Sequence, residues 1–145
     1  MEGFDINWLA ILAAAASSLV VGFIWYGPLF GKAWMTASGM TEEKVKSGNM
    51  AFIFGLSFVF GLFLAFSMWA QVMVGGGGGE IHGQDPYLTF KHGAFHGVLM
   101  GVFMILPVLG TIALYERKSI KYVLIAVGYW TVTLAVMGGI INAWV

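Results

Sequence analysis

Long apolar blocks separated by short polar ones dominate this chain. Asp, Glu, Lys and Arg are absent from Ile6 to Gly31, Ser47 to Gly79, His92 to Tyr115 and Tyr122 to Val145. About 20 residues of apolar helix cross a bilayer core ~30 Å thick. Each block therefore predicts one span, near 7–27, 50–73, 92–114 and 121–143. Helices are expected because lipid offers the backbone no hydrogen-bond partner. Membrane-spanning strands would alternate polar and apolar residues, and these blocks do not. The expectation is a single all-α transmembrane domain over 1–145, an integral membrane four-helix bundle.

Shorter signals fill the connections. Leu29 to Ser38 places Leu29, Phe30, Ala33, Trp34 and Ala37 on one helical side, predicting a short interfacial helix after the first span. Thr41 before Glu42 and Glu43 predicts an N-cap followed by a first-turn acidic pair. Gly75 to Gly79 reads as a flexible tether, since no Lys-Ser/Thr pair accompanies it as in a phosphate loop. Pro107 lies inside the third block and removes the backbone bond to residue 103, so a kink is expected.

Small residues recur four apart in every block: Ala14, Ser18, Gly22; Ser57, Gly61, Ala65; Gly93, Gly97, Gly101; Ala135, Gly139, Ala143. Such ridges let helix backbones approach closely in lipid, within one bundle or between copies. Gly61, Gly93, Gly97, Gly101 and Gly139 are the expected packing positions, and a homo-oligomer is the expected assembly.

Composition excludes most other classes. Hydrophobic residues make up 59% of the 145 positions and charged residues 10%, against roughly 45–50% and 25% in soluble domains. Mean hydropathy is +0.86. A soluble fold of about 150 residues buries only ~70% of the surface its chain exposes, too little to hide this excess. A cytosolic enzyme, a disordered tail and a nucleic-acid module are excluded, leaving lipids as the first partner.

The seven acidic and seven basic side chains cancel in number but not in place. Lys32, Lys44, Lys46, Arg117, Lys118 and Lys121 fall in the connections on one side, and Lys91 alone on the other. This bias predicts a bacterial inner-membrane protein with both termini on the periplasmic side. Trp8, Trp69 and Trp144 fall at the outer ends, Trp25 and Trp34 at the inner boundary, and Trp130 deeper. Glu2 and Asp5 stand where a signal peptide carries Lys or Arg, so the first span is expected to be retained.

Several of these residues carry a family likeness. Asn7-Trp8-Leu9-Ala10, the run from Trp25-Tyr26-Gly27-Pro28 to Ala33-Trp34-Met35, and Gly39-Met40-Thr41-Glu42-Glu43 form its first part. Tyr115-Glu116-Arg117-Lys118-Ser119, Gly128-Tyr129-Trp130 and Met137-Gly138-Gly139-Ile140 form its second. In these motifs the chain resembles the uncharacterised bacterial membrane family catalogued as domain of unknown function 1761, over nearly its whole length. The resemblance implies a small multi-pass membrane protein and supplies no activity or site residues.

Candidate chemistry must come from side chains. His92 and His96 are four apart and share a helix face, and Met100 and Met104 continue the row. Imidazoles near the surface with thioethers deeper in suit copper. Glu80, His82 and Asp85 offer harder ligands for a zinc or nickel site. The plainer reading places the histidines among headgroups and the methionines in packing. A haem held within one chain needs ligands from opposite faces, and no other span contains a His. No acidic or basic residue other than His96 lies inside a span, which disfavours a coupled carrier. There is no cysteine, and Gly55-Leu56-Ser57-Phe58 lacks the second glycine of a nucleophile elbow. The expectation is a non-enzymatic interaction or assembly protein without a cofactor, associating with itself or another membrane protein. The alternative is outer-face copper or zinc binding or transport through His92, His96, Met100 and Met104, with His82.

Overall fold

Each apolar run begins where a short polar side chain can accept an otherwise unpaired backbone N–H. Asn7 accepts from the Ala10 amide at 3.1 Å and Asn49 from Phe52 at 3.1 Å. Thr89 accepts from His92 at 3.2 Å and Ser119 from Tyr122 at 3.1 Å. These are N-caps, and they set where the helices start. The computed structural model describes residues 6–74 and 87–144. Helix α1 is Trp8–Leu29, α2 Gly31–Ser38 and α3 Glu42–Lys46. Helix α4 is Met50–Val72, α5 Phe90–Tyr115 and α6 Ile120–Ala143. No strand occurs among the described residues. The all-α fold with four spans and a short helix after the first is the one the residue pattern predicts. Thr41 also caps α3 as expected, accepting from the Lys44 amide at 3.1 Å.

The prolines leave a particular mark. Pro107 has no N–H to donate, and α5 absorbs the disturbance as a wide π turn over Gly101–Ile105 before continuing to Tyr115. A π turn over Trp25–Leu29, containing Pro28, closes α1, with the Phe30 amide donating to the Trp25 carbonyl at 2.8 Å.

Helix α6 is the centre of the bundle. In its most apolar stretch 44% of residues are buried, against 28% in α1, 22% in α5 and 11% in α4. Leu134 and Met137 are fully enclosed, as is Met68 from α4. Two side-chain hydrogen bonds tie α1 to α6: Trp25 Nε1 donates to the Ile125 carbonyl at 3.0 Å, and Tyr129 Oη to that of Ser18 at 2.8 Å. Tyr129 also carries Trp130 edge-on, with ring centroids 4.8 Å apart.

Close approach does the rest. A Cβ at Gly61 would stand 3.2 Å from the Ala15 carbonyl oxygen and 3.1 Å from Ser18 Oγ, so α4 meets α1 at that ridge. Between α5 and α6 the fit is tighter. A Cβ at Gly93 would strike the Gly138 carbonyl, one at Gly97 the Leu134 carbonyl, and one at Gly101 would lie 2.8 Å from the Thr131 Cα. Gly139 is covered by the Phe90 ring. Backbone against backbone at this range permits Cα–H···O contacts along the whole seam. The α6 row that faces the α5 glycines is thus Thr131, Leu134 and Gly138, while Ala143 and, on α4, Ser57 are exposed. Outward-facing Phe52, Phe63 and Phe103 leave an apolar exterior compatible with lipid contact.

Candidate metal centre

The start of α5 is held by its neighbour α6. Asn142, 1% exposed, points its amide at the segment leading into α5. Its Nδ2 donates to the carbonyls of Tyr87 at 2.6 Å and Thr89 at 2.8 Å. Thr89 then caps α5 through the His92 amide. Asn142 Oδ1 is buried without a hydrogen-bond partner among the described residues. Nearby, Asn7 Nδ2 donates to the Trp144 carbonyl at 2.9 Å and joins the start of α1 to the end of α6. Three of these contacts, the two from Asn142 and the Thr89 cap, therefore fix the backbone that carries the first histidine.

With Gly93 and Gly97 pressed onto α6, the residues one position earlier lie on the flank of that seam. His92 and His96 are both half-buried there. Their Nε2 atoms are 3.2 Å apart, and the ring centroids 4.8 Å apart at an interplanar angle of 72°. The Tyr87 ring lies 5.3 Å from that of His92, and the Phe95 ring 6.0 Å from that of His96.

Two chemistries fit this pair. One imidazole N–H can donate to the other ring's lone pair, which requires opposite tautomers. Alternatively, both lone pairs can face a single cation. Zn–N bonds of about 2.0–2.1 Å at a tetrahedral angle place two nitrogens ~3.3–3.4 Å apart. The observed 3.2 Å is close to that bite.

The rest of the expected ligand row is divided. Met100 is 7% exposed and belongs to the apolar core, whereas Met104 is 51% exposed. The π turn from Gly101 to Ile105 separates them, and its wider circuit breaks the four-residue spacing that would have kept both sulfurs on one face. Two nitrogens at the helix start are therefore the ligands brought together. His82, with Glu80 and Asp85, lies outside the described residues, as does the Gly75–Gly79 tether. Among the described residues no three His, Cys, Asp or Glu side chains cluster to hold a metal. Thr89 and Tyr87 were not singled out from sequence. A Thr immediately before an apolar-periodic run is an N-cap signal, so Thr89 was findable; the Asn142 clamp, 53 residues from it, was not.

Four helices long and apolar enough to cross a membrane, packed through glycine seams with aromatic residues outside, define a multi-span helical membrane protein. Residues 9–142 match the family described as protein of unknown function (DUF1761), and the chain belongs to that family. Comparison with curated proteins and with solved structures finds no match.

Proposed function

We propose that this is a membrane protein that binds a transition-metal ion through His92 and His96. The observation carrying this reading is the 3.2 Å separation of two Nε2 atoms on a rigidly held helix start. Zinc, copper(II) and nickel suit imidazole ligands, and the burial of Met100 disfavours a copper(I) site extended by thioethers. Two protein nitrogens leave further coordination positions for water or a delivered ligand, as binding for transfer requires. The protein works by binding rather than by bond-making chemistry.

The test uses the whole chain in detergent, loaded with zinc or copper and dialysed. Wild type is expected to keep about one ion per chain and the His92→Ala/His96→Ala variant none, with the two melting alike when both are metal-free. Equal metal in the two samples after dialysis would overturn the reading.

The site is assigned to the outer face of a bacterial inner membrane, with both described ends on that side. Support comes from the six basic residues in the connections away from the histidine end, against Lys91 beside it. A reporter fused after Val145 should behave as periplasmic, and cytoplasmic activity would reverse this map. A self-associating interaction protein is the second reading, favoured by the aromatic face of α4, where Phe52, Phe60, Phe63 and Phe66 are exposed. Particle mass in detergent, measured with and without zinc, separates it from metal binding by one chain.

A further inference from the structure

At the far end of α5 from the histidines, an open recess of about 620 Å³ lies between the end of α2 and the turn joining α5 to α6. Thr36 and Ser38 form one wall, and Arg117, Lys118, Ser119 and Lys121 the other. Three cations thus face one cavity whose single carboxylate is that of Glu116. None of the three enters an ion pair among the described residues. Ser119 Oγ accepts from the Tyr122 amide and keeps its hydroxyl proton for an acceptor oxygen.

Arg117 occupies an unusual position. Its φ of 59° is left-handed, the conformation that favours glycine. The Arg117 amide donates to the Leu114 carbonyl at 3.3 Å and the Lys118 amide to that of Ala113 at 2.9 Å, the Schellman pattern of a helix end. The turn therefore places a guanidinium where glycine would be the unstrained choice. A guanidinium fork matches the oxygens of a phosphate in a way an ammonium does not.

We propose that this recess seats the phosphate of an anionic phospholipid headgroup. Lipid is favoured over free phosphate by what adjoins the recess. Leu114, Ile120 and Leu124 are 76%, 78% and 66% exposed, an apolar track for acyl chains beginning at the basic turn. Exposed Tyr115 and half-buried Tyr122 flank the turn, as aromatic residues do at headgroup depth. Lys118 Nζ lies 5.5 Å from the centre of the Tyr122 ring, which holds that ammonium at the same level.

The experiment titrates the whole chain in detergent with phosphatidylglycerol, phosphatidylcholine or inorganic phosphate and follows its melting temperature. Phosphatidylglycerol alone is expected to raise it. The Arg117→Gly/Lys121→Gln variant should fold, since glycine suits the left-handed turn, and should bind phosphatidylglycerol roughly 30-fold more weakly, from about fivefold per lost cation. Lys44→Gln/Lys46→Gln removes the same charge outside the recess and should keep the wild-type response. Three results would each overturn the assignment: no response to phosphatidylglycerol, equal weakening in both variants, or an equal response to inorganic phosphate.

Discussion

Replacing Gly97 with valine is expected to destabilise the protein by about 3 kcal/mol or more, the upper range of overpacking costs. The reason lies in what the new side chain meets. At Gly97 it is the Leu134 carbonyl and the Ala135 amide of α6, backbone atoms inside a helix, with no rotamer to escape into. Relief requires α5 to move away from α6, which would also part Gly93 from Gly138 and Gly101 from Thr131. For a chain of this size the loss corresponds to a melting temperature lower by about 6–12 °C. Gly55→Ala is the matched control, since an added Cβ there meets nothing within 4 Å. Helix propensity alone would make that change neutral or slightly stabilising. Circular dichroism in detergent reads both, and a Gly97→Val protein that melts like wild type would rule out the close seam.

Asn142→Leu is the second large effect, at about 2–4 kcal/mol. The substitution keeps the branched shape, with two methyls in place of the amide oxygen and nitrogen, but removes the donor that serves two carbonyls, each costly to leave without a partner. Asn142→Asp removes the same donor in nearly the same shape and should be at least as damaging. Because the clamped segment carries Thr89, whose hydroxyl caps the amide of His92, both variants should also hold zinc about tenfold more weakly. That pairing of losses separates a positioning residue from a ligand: His92→Ala/His96→Ala should abolish zinc binding without changing the melt of the zinc-free protein. An Asn142→Leu protein with unaltered melting and zinc affinity would remove the clamp from the site.

Much of the fold was legible because lipid imposes a simple requirement. Charge-free blocks long enough to cross a bilayer became α1, α4, α5 and α6, and Thr41 announced α3. The relation of His92 to His96 was legible too, since it depends only on helical spacing. The row beyond them was not. A four-residue repeat assumes a uniform helix, and the π turn at Gly101–Ile105 leaves Met104 exposed while Met100 stays in the core. The choice of seam was equally hidden. Gly138 and Gly139 are adjacent, so α6 offered two rows of small residues, and which of them meets the glycines of α5 depends on helix rotation in the packed bundle. The observed seam runs through Gly138, with the Phe90 ring over Gly139. The Asn142 clamp depends on that same rotation, as it joins segments far apart in the chain.

The most direct measurement of the proposed metal centre is X-ray absorption at the zinc edge of the loaded whole chain. Two imidazole nitrogens at about 2.0–2.1 Å are expected, with oxygen in the remaining positions and no sulfur near ~2.3 Å. The imidazole signal should vanish in the His92→Ala/His96→Ala variant. Sulfur in the first coordination sphere, or an imidazole signal unchanged in that variant, would contradict a centre built on His92 and His96.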